Sequence, residues 1–149
     1  MNRDDWFRRL RQDDDLQALV DDIPYARHLG ITVEAAENTL QFVLAPHPHN
    51  IGNPLVPALH GGVVAAFLET AGTLALMREA RSTRLPKIID FSIDYLRSAA
   101  PVATRAECLL VREGRRLANV RALAWQDDPA KPVATARMHF LLSDPPPAG

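Results

Sequence analysis

His60–Ala80 reads HGGVVAAFLETAGTLALMREA, and the fold turns on this stretch. Valine, alanine, phenylalanine and leucine fall on every side of it rather than along one stripe. A helix that is apolar all round is a buried helix. The sequence therefore predicts a helix from Leu59 or His60 to about Ala80, wrapped by the rest of the chain. Two features stand out within it: the glycine pair Gly61-Gly62 at its start and an acid, Glu69, in its middle.

Downstream, four strand-like segments follow: Lys87–Arg97, Val102–Arg112, Arg115–Trp125 and Pro132–Leu142. In the first, Ile89, Phe91, Ile93 and Tyr95 alternate with Asp90, Ser92 and Asp94, the pattern of a half-buried strand. Glu113-Gly114 and Asp127-Asp128-Pro129 are turn signals placed for hairpins. Ala118, Val120, Ala122 and Ala124 share one face of the third segment, and Ala134, Ala136, Met138 and Phe140 one face of the fourth. Small residues in register let a helix sit close against a sheet. The fold class this implies is α+β, an antiparallel sheet curled around one long central helix.

Upstream, strands are expected over Leu29–Ala36 and Thr39–Ala45, joined by a turn at Glu37-Asn38. Between them and the helix lies PHPHNIGNPLVPA, residues 46–58; four of its residues are proline, so no regular structure is expected there. Asp4 to Ile23 reads as one broken helix or two short ones, with Pro24 ending the run. This segment could cover a pocket or simply pack on the sheet. The expected division is a helical segment over 1–24, one sheet-and-helix domain over 25–143, and a disordered tail over 144–149.

The bulk numbers bound the function. A chain of 149 residues with 47% hydrophobic and 23% charged residues is an ordinary globular protein. A net charge of −1 gives no reason to expect a nucleic acid or an anionic membrane as partner. One cysteine, Cys108, excludes an internal disulfide and suits a reducing compartment. The charged N-terminus MNRDDWFRRLRQDDD is not a secretory signal, and the most apolar run, Val63 to Met77, is interrupted by Glu69. A cytoplasmic location is expected. Cys108 alternates with Ala106 and Leu110, which reads as a core-facing strand residue rather than a nucleophile. His47 and His49 form an HPH pair, but with no cysteine or acid in the connector no metal site is expected.

The element order, with NPLVPALHGGVVAAFLETAG followed by IDFSIDYLRSA, resembles the PaaI-like acyl-CoA thioesterases of the hotdog fold. That family carries an HGG at the helix start, an acid nine positions after its histidine, and a strand ending in YLRPA. The matches here are His60-Gly61-Gly62, Glu69, and Tyr95-Leu96-Arg97-Ser98-Ala99, and the resemblance covers roughly residues 25 to 143. There are three departures. The family's polar residue six positions before the histidine falls on Pro54, with Asn53 the nearest amide; Ser98 replaces proline; and Glu69 stands where close relatives carry aspartate. The resemblance implies hydrolysis of an acyl-CoA, with no cofactor beyond the coenzyme A of the substrate, and a homodimer or dimer of dimers.

The residues support that chemistry. Gly61 and Gly62 lie where helix N–H groups lack intrahelical partners and the dipole favours an anion. The Gly61 N–H is thus a candidate donor to the developing oxyanion. Glu69, in apolar surroundings, would serve as general base on a water or as nucleophile. Plainer readings are close packing for the glycines and, for Glu69, a salt bridge to an arginine or an exit to solvent at the helix's one polar edge. His60 and Asn53 complete the candidate catalytic set. Gly62, Thr73, Arg97, Ser98, Arg115 and Arg116 are the substrate-binding candidates, the arginines for phosphates; Thr73 could equally bond the carbonyl four residues back. Gly61 and Glu69 are eight residues apart, about 12 Å along one helix axis, too far to serve one carbonyl from a single chain. Two helices packed antiparallel about a two-fold would pair Gly61 of one chain with Glu69 of the other.

Two other functions fit less well. HNIGNPLVP is similar to a hotdog hydroxyacyl dehydratase loop, but His49 and Glu69 are twenty residues apart where those enzymes need about fourteen. A non-catalytic acyl-CoA-binding module, or a structural oligomer, would have no use for the carboxylate.

Overall fold

A computed structural model describes residues 2–12, 15–37 and 39–144. Three short helices open the chain, α1 (Arg3–Gln12), α2 (Leu16–Asp21) and α3 (Pro24–Leu29). A hairpin of β1 (Ile31–Ala36) and β2 (Thr39–Leu44) follows, then a small ribbon of β3 (Ile51–Asn53) and β4 (Ala58–Leu59). Next come the long helix α4 (Gly61–Glu79) and four strands, β5 (Leu85–Tyr95), β6 (Thr104–Glu113), β7 (Leu117–Trp125) and β8 (Ala134–Ser143). Six strands form one antiparallel sheet in the order β1-β2-β6-β7-β8-β5, so β5 ends it. This is the expected hotdog arrangement: a sheet curled round one helix.

The packing follows from side-chain size. The alanine-rich faces expected from periodicity do face α4: Ala118, Val120, Ala122 and Ala124 of β7 and Ala134, Ala136, Met138 and Phe140 of β8 are all buried. Against them lie Phe67, Leu68, Ala71 and Leu74 of the helix, none more than 2% exposed. Fully burying residues of this size contributes about 1.5–3 kcal/mol for each large one.

Four expectations are corrected. The helix is not buried all round: Gly62 and Glu69 are exposed, and Ala65, Ala66 and Thr73 are half-buried on the same side. Pro24 starts a helix instead of ending one, because at the first helical position its missing N–H costs nothing. The proline-rich connector is partly regular: Pro48–Asn50 forms a 3-10 turn and Ile51–Asn53 pairs with Ala58–Leu59. Its prolines are accommodated in the turns and flanks rather than in the paired residues. In β5 the register slips between Ile88 and Asp90, so Ile88 turns inward and Ile89 is left 57% exposed. The turn residue Asn38 and the tail beyond Asp144 lie outside the described residues.

The N-terminal segment settles at the far end of α4. Phe7 and Leu10 are buried there, and the Arg11 guanidinium donates to the carbonyls of Ala80 and Ser82, both at 2.7 Å. It caps the last turn of the helix, where carbonyls lack partners.

Candidate active site

The site begins with the residue that starts α4. His60 is extended (φ −63, ψ 131), and its Nδ1 accepts the Gly62 N–H at 2.9 Å. It is the N-cap, with an imidazole where serine or aspartate usually stands. Since Nδ1 accepts, the proton of the neutral ring sits on Nε2. The cap is fixed from both sides: the His60 N–H donates to Asn50 O and the Leu59 N–H to Ala99 O, each at 2.8 Å.

Asn50 anchors this arrangement, although the sequence reading passed over it as one more loop asparagine. It is fully buried, and its Nδ2 donates to Leu29 O at 2.9 Å and Ala45 O at 3.0 Å. The connector is thereby pinned to the ends of α3 and β2. Its Oδ1 has no partner among the described residues.

Gly61 and Gly62 then differ. The Gly62 N–H is taken by His60, whereas no described residue accepts from the Gly61 N–H. The Gly61 carbonyl accepts the Tyr95 hydroxyl at 2.7 Å. Gly61 borders a cleft of about 400 Å3 whose wall includes Val64, Tyr95, Leu96, Arg97 and Ser98. A free N–H at a helix N-terminus thus opens on a hollow of mixed apolar and cationic character, the setting in which a carbonyl oxygen gaining negative charge is stabilised.

The other predicted residues are distributed as follows. Arg97 and Ser98 share the cleft with Gly61. Glu69 is on the same helix, about 12 Å along its axis. It is exposed, and among the described residues its carboxylate has neither an ion-pair nor a hydrogen-bond partner. The expectation of a carboxylate enclosed by its own chain is corrected: its side of α4 bears small residues and is uncovered. The Thr73 hydroxyl donates to the Glu69 carbonyl at 2.8 Å, the plainer of its two expected uses. Asn53 is turned away from the cleft, its Oδ1 accepting the N–H groups of Leu55 at 2.9 Å and Val56 at 3.3 Å to close the β3–β4 turn. Arg115 and Arg116 border a different hollow with Arg112 and His139, at the far end of the sheet. Leu117 registers with Leu141 and Leu141 with Lys87, eight residues from Tyr95, so about 25 Å separates them from the cleft within one chain. Among the described residues, no group of three or more His, Cys, Asp or Glu is placed to hold a metal ion, and no helix is long and apolar enough to cross a membrane.

The family model described as the thioesterase superfamily matches residues 57–133, from just before β4 through α4, β5, β6 and β7. A medium/long-chain acyl-CoA thioesterase of Salmonella typhimurium, YigI, is 28% identical over 134 residues, covering 80% of this chain and 86% of its own. A crystal structure from Chromobacterium violaceum is 40% identical, with a TM-score of 0.74, covering 92% of this chain and 96% of that one. A phenylacetic acid degradation-related protein of Ralstonia eutropha shares the fold, with a TM-score of 0.72 at 24% identity over 91% of this chain and 98% of its own. With a helix N-terminus open on a cleft, a free acid two turns along, and the family model spanning both, the chain belongs to the thioesterase superfamily and is a hotdog-fold thioester hydrolase.

Proposed function

We propose that this protein hydrolyses acyl-CoA thioesters at sites shared between two copies of the chain. The observation that carries the proposal is the pair Gly61 and Glu69: among the described residues, a donor with no acceptor and an acid with no partner, on one helix, about 12 Å apart. Neither is needed by its own fold, and one carbonyl carbon cannot be within about 3.5 Å of both in a single chain. The name of the Salmonella relative supports acyl-CoA as the substrate class.

The open strand β5 supports the pairing. It is 11 residues long with nothing beyond it among the described residues, and Ile89, Tyr95 and Leu96 on it or just after it are more than half exposed. A long exposed edge with apolar side chains is a pairing surface. Antiparallel pairing of two β5 strands about a two-fold would continue the sheet and lay the two α4 helices antiparallel on one side of it. Gly61 lies at the Tyr95 end of β5, so it would face the middle of the partner's helix, where Glu69 stands.

In this reading the acyl carbonyl oxygen accepts the Gly61 N–H. The partner's Glu69 either removes a proton from the attacking water or attacks the carbonyl carbon itself, giving a mixed anhydride that a water then hydrolyses to the free acid and the restored carboxylate. The C–S bond breaks as the tetrahedral intermediate collapses, and the thiolate leaves toward Arg97 and Ser98. One oxyanion donor of this kind is worth about 3–4 kcal/mol.

The test is thiol release from a panel of acyl-CoAs by wild type and Glu69→Gln. Turnover is expected in wild type and a loss of at least about a thousandfold in the variant, with acyl-CoA binding retained. Tight binding without turnover in wild type would instead mean a binding module, and hydration of crotonyl-CoA a dehydratase. A single turnover in H2 18O tests the nucleophilic role of Glu69: label in the Glu69 carboxylate marks an anhydride cleaved by water at the Glu69 carbon.

A further inference from the structure

Tyr95 uses its hydroxyl on the backbone rather than on water. It is 54% exposed at the end of an edge strand, yet its hydroxyl donates to the Gly61 carbonyl at 2.7 Å. Its ring lies where Gly61 lacks a side chain: a Cβ there would be 3.3 Å from both the Cζ and the hydroxyl oxygen. The helix does not need this bond, because a carbonyl in the first turn is already placed to accept from the N–H four residues on. What the bond adds is location, since it fastens the first residue of α4 to the last residue of β5. The His60 and Leu59 N–H bonds fix the backbone before the helix, and among the described residues Tyr95 is the one side chain bonded to Gly61 itself.

We infer that Tyr95 is a positioning residue of the hydrolytic site: by holding the Gly61 carbonyl it restrains the Gly61 Cα and, through it, the preceding His60–Gly61 peptide whose N–H is the proposed donor. The inference rests on the thioesterase reading above and goes beyond it. An oxyanion donor is effective when it needs no reorientation as charge develops. Gly61 is poorly suited to hold itself, because glycine is the most conformationally free residue and stands at a helix end, where fraying is greatest. A rigid ring beside the glycine, with one hydrogen bond to its carbonyl, supplies the restraint.

The experiment compares wild type, Tyr95→Phe and Tyr95→Leu on the acyl-CoA that wild type hydrolyses fastest. Binding is measured with the non-hydrolysable thioether analogue of the same acyl-CoA, and Tm is recorded for each protein. Tyr95→Phe is expected to keep the wild-type Tm and to bind the analogue within about twofold, while kcat falls about tenfold. Tyr95→Leu, which also removes the ring contact, should lose more of kcat than Tyr95→Phe. An unchanged kcat in Tyr95→Phe overturns the inference. So does weaker analogue binding with kcat preserved, which would make Tyr95 a substrate contact. A parallel fall of Tm and kcat in both variants overturns it in favour of a structural role. Wild type is assayed first: if it hydrolyses no acyl-CoA, the thioesterase reading itself fails, an outcome distinct from active wild type with an indifferent Tyr95→Phe.

Discussion

Two ionisable side chains show how much a residue's meaning depends on its surroundings. Cys108 points to the inner face of β6, and burial, together with the charges of Glu79 and Glu107, pushes its thiol up to about 12. A thiol held that high is no nucleophile at neutral pH. Ellman's reagent should leave Cys108 unmodified in the native protein at pH 8 and label it once the chain is unfolded; prompt native labelling would contradict the burial. The alternation of Cys108 with Ala106 and Leu110 was enough to anticipate this, because strand periodicity fixes which face a residue takes. Glu69 was harder. Its spacing from His60 marked it as functional, but apolar neighbours in sequence suggested enclosure, and the structure leaves it open. Tyr95 and Asn50 were missed as site residues because their roles depend on backbone carbonyls more than twenty residues away for Asn50–Leu29 and more than thirty for Tyr95–Gly61.

At the level of elements, long periodic segments were legible and short irregular ones were not. The six strands of the main sheet and the long helix follow from patterns repeated over many residues, so each is over-determined. The ribbon Ile51–Asn53 with Ala58–Leu59 is too short to show a period, and prolines around it obscured what remains. The end of α3 is set by Gly30, whose positive φ of 75 and close approach to the His47 ring leave no room for a side chain. The C-terminal end of α4 carries a mismatch. Glu79, its last residue, is set against the negative end of the helix dipole, and burial raises its carboxyl above the ordinary value against the pull of Arg78. The folded chain therefore binds this proton more tightly than the unfolded chain. The contribution is favourable below the unfolded value of about 4.3 and is lost as pH rises through the raised one. Glu79→Gln should accordingly raise Tm at pH 7, with the gain shrinking toward pH 4. Thermal scans across that range check it, and a gain that grows on acidification would reverse the sign.

At the level of the whole molecule, the proposed assembly makes a prediction that no single-chain site can mimic. Gly61→Pro removes the proposed oxyanion N–H and suits the first helical position, with His60 already extended before it, although its Cβ would sit 3.3 Å from the Tyr95 ring and displace it slightly. Gly61→Pro and Glu69→Gln should each be inactive alone. When the two are co-expressed, a mixed dimer holds one intact site, made of Gly61 from one chain and Glu69 from the other. Random pairing should restore about a quarter of wild-type activity per chain. If both residues act within one chain, co-expression restores nothing. The same assembly would bring the Leu85 end of the partner's sheet, with its Arg115 and Arg116, toward the Gly61 cleft, which the 25 Å separation within one chain does not allow.

The sequence by itself determined the long helix, the six strands of the main sheet and most of their faces, and named Gly61 and Glu69 as candidates, because these are written in periodicities and spacings of a few residues. Only the tertiary structure decided that the Gly61 N–H is free while the Gly62 N–H is capped, that Asn53 closes a turn, and that Tyr95 braces the helix start. Those outcomes hang on hydrogen bonds whose geometry is fixed when distant segments pack together, and no local pattern records which donor finds which acceptor.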